Sequence, residues 1–324
     1  MKYLLVDTAN TFFRARYISG RHSTLDERTG MAIHITLTSI SKLWREQDPE
    51  HVVFCLEGTS WRRGTYPPYK KNRDVAKVAL TPAEVKEDQA YWDAFNQLSE
   101  YLNNKTNCSV LHSPNAEADD LIARFIALHP HDEHVILSSD SDMLQLIAEN
   151  VTVYNGITGE LHSLKGVFNG GSKPAIDKKT KLPKEAPNPA WLLFEKCMRG
   201  DSSDNVFSAY PRVNVKRLKE AFNDREKKGY SWNNVMLQRW TDHNKKEHKV
   251  VDDYERNKVL IDLTAQPDKI KKEIDTDIIS QLNRKTISQV GTHFIVFCGK
   301  HELVKLLDFT DSYVSILNRP YKVK

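Results

Sequence analysis

Two carboxylates stand one residue apart in "VILSSDSDMLQLI", residues 135–147, where an apolar run ends. A single Asp there would cap the helix that follows. A pair, Asp140 and Asp142, with nothing basic beside it, repels itself unless a cation intervenes. The placement recurs along the chain. Asp7 closes "KYLLV", Glu57 follows "HVVFCL", and Glu117, Asp119 and Asp120 open the helix after "CSVLH". Each alone reads as a cap or a loop residue. Seven facing one crevice do not, because uncompensated like charge raises pKa values and destabilises a fold. The chemistry they suggest is binding of hard divalent cations through oxygen: Mg²⁺, with Mn²⁺ able to substitute. Two such ions about 4 Å apart would suit in-line attack on a phosphodiester. Zinc would want His or Cys nearby. The "HPHDEH" cluster at 129–134 lies in a helix-to-strand connection and reads as a solvated loop away from these acids.

Such acids need a scaffold that brings strand ends together. Apolar runs at 2–6, 51–56, 108–112, 134–139 and 151–155 read as strands. Between them come helical spacings at 31–46, from the capping box "TPAE" (81–84) to about 102, at 115–128 and at 141–148. This alternation predicts an α/β fold with a mostly parallel central sheet flanked by helices. In such a sheet the carboxyl ends of the strands share one rim, where ligands bind. Glu117 and Asp120 are also three apart on a first helical turn, so they share a face.

Bulk properties bound the rest. The 324 residues suit one large domain or two modest ones, and 40% hydrophobic with 28% charged residues excludes a disordered chain. A net charge of +4 means that a basic surface must come from clustering. Cys55, Cys108, Cys197 and Cys298 form no CxxC pair, and Cys55, Cys108 and Cys298, inside apolar runs, read as reduced thiols of a cytoplasmic protein. The first residues lack the pattern of a signal peptide, and no apolar run is long enough to span a membrane. We expect a core over 1–165, a Lys-, Gly- and Pro-rich loop or linker over 166–190, and a mainly helical region over 191–324. Within the last, helices are expected at 190–199, 213–222, 232–241 and 251–262, with a late strand at "THFIVFC" (292–298).

The stretch "WRRGTYPPYKKNR" (61–73) begins just after Glu57. It holds Arg62, Arg63, Lys70, Lys71 and Arg73 without an acid, interleaved with Trp61, Tyr66 and Tyr69. Cations bind phosphates, and aromatic faces stack on bases without demanding a sequence. Alone this reads equally well as a solvated loop; beside a carboxylate cluster it reads as a place for a nucleic-acid backbone.

Taken together, "EADD", "SDSD", "YPPYKKNR" and "RGDSSDNV" (199–206) resemble the 5′ nuclease, or flap endonuclease, family, in motif order over roughly residues 1–220. The bacteriophage members, including the phage ribonuclease H, are the most similar. The resemblance implies a nuclease core of PIN-like fold with two divalent ions. It also implies an arch for a 5′ single strand at about 74–103, and a helix-hairpin-helix-like element at about 199–222 that grips duplex DNA. Asp201 and Asp204 join Asp7, Glu57, Glu117, Asp119, Asp120, Asp140 and Asp142 as metal-site acids by this resemblance. Asp140 is taken as catalytic among them. Lys70 or Lys71, with Arg73, would meet the scissile phosphate, beside Tyr69. Arg212, Lys216, Arg217 and Lys219 would bind backbone phosphates from the hairpin. Glu57 departs from the family's usual Asp but keeps an oxygen ligand on a longer arm. Ser208, Arg212 and Asn214 stand near positions where the family carries glycine.

The activity implied is 5′-3′ hydrolysis at 5′ ends and flaps of DNA and of RNA–DNA duplexes, removing RNA primers in replication, by a monomer in the host bacterial cytoplasm if phage-encoded. The region after about 225 would pack on the core or meet a single-strand binding protein or a sliding clamp. Two other readings stand beside it. A haloacid-type phosphatase needs DxD after the first strand, and the sequence there is "DTAN". A structure-selective nucleic-acid binding protein with an inactive core would be expected to have lost several of these acids.

Overall fold

A computed structural model describes residues 1–17, 24–170 and 172–322. The chain divides into two compact units, one of residues 1–60, 80–187 and 268–324, the other of residues 61–79 and 188–267.

The first unit is built on a sheet. β1 (Lys2–Asp7) is buried from Tyr3 onward, as an apolar run with both faces covered must be. It pairs in parallel with β2 (His51–Cys55), where Asp7 lies opposite Cys55. β3 (Ser109–Leu111) adds to β2. On its other side β1 pairs in parallel with β4 (Glu133–Leu137), with Val6 opposite Leu137. β5 (Val151–Asn155) adds to β4, and β6 (Glu160–Ser163), β7 (Gly166–Asn169) and β8 (Lys173–Pro174) continue as an antiparallel meander. The order among the described residues is β3-β2-β1-β4-β5-β6-β7-β8. β1 therefore has β2 on one side and β4 on the other, the strand reversal that opens a crevice at carboxyl ends.

The helix Leu25–Gln47 starts on a capping box, the Thr24 hydroxyl accepting from Glu27 N–H and Glu27 accepting from Thr24 N–H. With the helices Pro82–Lys105, Val290–Lys300 and Thr310–Leu317 it buries one apolar cluster against Leu4, Val6, Phe54 and Leu137. The helices Ala118–Leu128 and Asp268–Leu282 contact each other; the first contacts β1 and β2, the second β3.

The second unit is mainly helical. The helices Pro189–Arg199, Val215–Asn223, Tyr230–Met236 and Val250–Ile261 bury Phe194, Met198, Leu218, Phe222 and Val235, with Trp191, Trp232 and Tyr254 packed around them. The helix Lys71–Val78 buries none of its residues.

The parallel sheet and the helical later region are as the sequence pattern predicts. Five details differ. The expected late strand is the helix Val290–Lys300, because Val290, Phe294, Phe297 and Cys298 recur at helical spacing and fill the core. The expected helix after Asp140 is a 3-10 segment, Ser141–Leu146. The expected helix at 232–241 is Tyr230–Met236 followed by the strand Arg239–Thr241, which pairs with Glu247–Lys249. The expected linker at 166–190 supplies β7 and β8, with Gly166 at φ +141° taking a backbone that side chains disfavour. Lastly, the chain returns to the first unit after residue 267, so the helical region is split between the units rather than forming one domain over 191–324. The expected arch residues fall on the helices Lys71–Val78 and Pro82–Lys105. From Tyr91 on, the latter is a core helix, burying Tyr91, Phe95, Leu98 and Leu102.

Candidate active site at the carboxyl rim

The acids of the first unit gather where the topology predicts. Asp7 ends β1, is buried, and accepts from Asn10 N–H at 3.2 Å and from the Ser138 hydroxyl at 2.8 Å. Ser138 Oγ also accepts from Asp140 N–H at 3.1 Å, and Asp140 accepts from Asp142 N–H at 2.9 Å. Asn10 Oδ1 accepts from both the amide and the hydroxyl of Ser139, at 2.9 and 2.7 Å. The ends of β1 and β4 are thus tied by alternating acid and hydroxyl groups. Across β2, Glu57 accepts from Ala118 N–H at 3.2 Å, and Ser60 donates to Glu117 at 2.7 Å. Gly58 makes this possible. A Cβ there would lie 2.0 Å from Ser113 O, so only glycine lets the β2 loop close on the loop before Glu117.

Asp119 shows what the gathering does. It is partly buried on the first turn of the helix Ala118–Leu128. Its carboxyl is pushed well above the usual carboxylate range, first by burial and then by the charges of Asp7, Asp140, Glu57 and Glu117. Burial with the nearby Asp7, Asp277 and Asp119 charges also raises the Cys55 thiol. Five carboxylates of the expected set therefore act on one another electrostatically. Glu117 N–H donates to Asp120 at 3.2 Å, and Asp120 is fully buried. Asp142 is the neighbour of Asp140 on the 3-10 segment.

Among the described residues no group of three or more His, Cys, Asp or Glu is arranged to hold a metal ion directly. Asp7, Glu57, Glu117, Asp120 and Asp140 each accept a hydrogen bond from a hydroxyl or a backbone amide. The donor set is nonetheless all oxygen and in excess of negative charge. That suits a hydrated hard cation reached partly through water, and it offers nothing to a soft metal.

Asp201 and Asp204 belong to the second unit, where cations of that unit hold both. Asp201 pairs with Lys196 at 2.7 Å and accepts from the amide and hydroxyl of Ser203. Burial works to raise its carboxyl, but these partners outweigh burial and hold it below the usual range. Asp204 accepts from Tyr69 Oη at 2.9 Å and Arg73 at 2.6 Å, with Lys70 at 3.8 Å. The two motifs are stitched further by Lys70 N–H to Asp204 O, Asn72 Nδ2 to the carbonyls of Ser202 and Ser203, and Asn205 Nδ2 to Pro68 O. Gly200, at φ +74° and with only 2.3 Å between its ideal Cβ and Val206 O, permits the turn.

The sequence profile of the 5′-3′ exonuclease N-terminal resolvase-like domain matches residues 2–170, over half of the 324-residue chain. The chain belongs to the 5′-3′ exonuclease family. Exonuclease-family relatives include a 5′-3′ exonuclease of Mycoplasmopsis pulmonis, 26% identical over 208 residues, 63% of this chain and 61% of that protein. DNA polymerase I of Mycobacterium bovis is 28% identical over 212 residues, 63% of this chain and 21% of the polymerase. Flap endonuclease Xni of Aeromonas salmonicida is 27% identical over 156 residues, 46% of this chain and 54% of that enzyme. The matches thus cover less than two thirds of each relative. Among solved structures, the T5 5′-exonuclease with bound zinc superposes with a TM-score of 0.61 at 17% identity, covering 86% of this chain and 99% of that one. The bacteriophage T5 flap endonuclease, solved with DNA and metal ions, gives 0.58 at 17% identity, covering 86% and 98%. These are likenesses of fold.

Several sequence expectations for this exonuclease-family chain are corrected. Arg62, expected on nucleic acid, is 1% exposed, donates to Leu260 O at 2.8 Å and stacks on Trp61. Its neighbours 61–79 fold onto the second unit, so its charge is spent inside. Tyr69, expected to stack on bases, is buried among Cys197, Val206, Leu260 and Ile261. Arg217 is drawn onto Tyr210 and Asn234 rather than outward. Arg63 forks onto Asp74 at 2.7 Å. Lys71, Arg212, Lys216 and Lys219 are exposed, and Arg212 sits in the left-handed region at φ 60° where a glycine would be easier. The "HPHDEH" cluster is no solvated loop at its ends. His129 and His134 are buried, stacked on Phe125 and Tyr3 respectively. Residues that sequence reading missed are Asn10, Ser60, Ser138, Ser139 and Asp277. Asn10 was legible as the fourth residue of "DTAN", one turn beyond Asp7. Asp277, which accepts from His112 N–H at 2.8 Å, is distant in sequence and had no local signal.

The Arg62 correction has a direct check. Arg62→Lys should cost about 1–3 kcal/mol of stability, since Lys cannot both reach the carbonyl and stack. It should leave duplex affinity in EDTA unchanged. Urea unfolding and a binding titration measure the two.

Proposed function

We propose that this chain is a divalent-metal-dependent 5′-3′ nuclease. It would hydrolyse phosphodiesters at 5′ ends and 5′ flaps of DNA and of RNA–DNA duplexes, and so remove RNA primers. One observation carries the reading: Asp119 at the carboxyl rim, surrounded by the charges of Asp7, Glu57, Glu117 and Asp140. A fold keeps such repulsion when a cation is meant to relieve it. Asp7, Glu57, Glu117, Asp119, Asp120, Asp140 and Asp142 would hold Mg²⁺ or Mn²⁺, directly or through water. When bound, the metal supplies Lewis acidity to the phosphodiester. Asn10 and Ser138 hold the Asp7 carboxylate, and Asn10 through Ser139 and Ser138 through the Asp140 amide hold the turn before Asp140. Lys71 and Arg73, with Lys70, would take phosphate charge, and Arg212, Lys216 and Lys219 would add backbone contacts. The T5 flap endonuclease, of like fold, was solved with DNA and metal ions, which supports nucleic acid as the substrate class. A monomer is proposed, with a sliding clamp or single-strand binding protein as candidate partner.

The test is a 5′-labelled flap duplex and a matching RNA–DNA hybrid, each incubated with Mg²⁺ or EDTA and resolved on a gel. Short labelled products only with Mg²⁺ are expected, and Asp140→Asn should slow their release by at least about 100-fold. Full-rate cleavage by that variant would overturn the reading. A shifted but uncut duplex would favour a binding protein with an inactive core.

A further inference from the structure

The amino ends of the sheet, opposite the acid rim, carry a charged feature of the other sign. A cleft of about 180 Å³ lies between Asn107 and Ser109 at the start of the edge strand β3, Arg284, Lys285 and Thr286 beyond the helix Asp268–Leu282, and Lys322. No Asp or Glu lines it. At about 30 Å³ for a water in the liquid, the cleft has room for an oxyanion and its remaining hydration.

Arg284 is its fixed group. One terminal nitrogen donates to Cys108 O at 2.8 Å and the other to Thr106 O at 3.1 Å. Both acceptors are neutral carbonyls. Among the described residues no carboxylate pairs with Arg284, Lys285 or Lys322. The wall behind is set: Asn107 Nδ2 donates to Asn318 Oδ1 at 2.8 Å, and the Ser109 hydroxyl meets His51 Nε2 at 2.9 Å. Arg284 has thus been half desolvated and locked in place without a counter-charge, and burial pulls its guanidinium below its usual pKa. A cation in that condition is completed by an anion. A guanidinium with two ammonium groups and a hydroxyl beside it matches a tetrahedral oxyanion of two charges.

We propose that this cleft binds a phosphate group, as inorganic phosphate or as a phosphomonoester. The site is separate from the acid rim, since it stands at the opposite end of the same strands.

The probes are inorganic phosphate and a 5′-mononucleotide, titrated calorimetrically into the full chain in EDTA at fixed ionic strength. Saturable binding with Kd below about 20 mM is expected, weakened roughly tenfold by combined Lys285→Ser and Lys322→Ser. That double variant keeps the hydrogen bonds of Arg284 and should fold and cut a flap duplex as before. Arg284→Gln should weaken binding further, while Lys71→Ser should leave it unchanged. Equal affinity for both probes would assign the free anion as ligand, and tighter mononucleotide binding would assign the monoester. Absence of saturable binding, or binding that the double variant retains in full, would overturn the proposal.

Discussion

Asp119→Asn should raise the melting temperature of the metal-free protein while abolishing Mg²⁺-dependent hydrolysis. The sign follows from the raised carboxyl of Asp119, which burial and the Asp7, Asp140, Glu57 and Glu117 charges disfavour in its ionised form. A carboxyl whose folded pKa lies above its unfolded one destabilises the fold where it must ionise. The penalty is absent below the ordinary carboxylate pKa. It grows as pH rises toward the raised value and is complete above it. Asn has no charge to disfavour, so the variant should gain most at pH 8 and least near pH 4. The gain should be about 2–4 °C for each kcal/mol of relieved repulsion. Melts in EDTA across that pH range measure it. Adding Mg²⁺ should then raise the melting temperature of the wild type more than that of the variant, because the ion relieves repulsion that the variant has already lost. A variant less stable than wild type at pH 8 in EDTA would show that Asp119 is a structural cap and not part of a strained site.

The second large effect concerns Asp204. It accepts from Tyr69 and Arg73 and lies near Lys70, with its side chain 15% exposed. Asp204→Ala removes an acceptor of the buried Tyr69 phenol and an anion beside Lys70, 14% exposed. The loss should be about 2–4 kcal/mol within the second unit. Two cations released from an acid should also strengthen duplex binding at low salt. The slope of log K against log salt should steepen by about one. Urea unfolding and a salt series in EDTA test the two effects separately. Unchanged stability would mean that the basic stretch holds its shape without this acid.

Much of the first unit is legible in its sequence. The buried strands are short apolar runs bounded by acids, and parallel pairing places those acids on one rim whatever the loops do. That is why Asp7, Glu57, Glu117, Asp119 and Asp140 could be gathered from spacing alone. The capping boxes at Thr24 and Thr81 likewise mark their helices locally. Sequence could not say how far a polar residue is buried, because burial depends on which element arrives from far along the chain. Arg62 and Tyr69 look like surface residues of a basic loop until Leu260, Ile261 and Asp204 close over them. "THFIVFC" has the composition of a strand, yet its apolar residues pack at helical spacing because the core offers a helical groove there.

The sequence by itself determined the five parallel strands of the sheet, their acid rim and the chemistry that oxygen ligands allow. Only the tertiary structure decided which cations are spent inside the protein and which remain for a ligand. Period and charge are local properties of a chain, whereas desolvation and pairing are set by contacts between residues far apart in it.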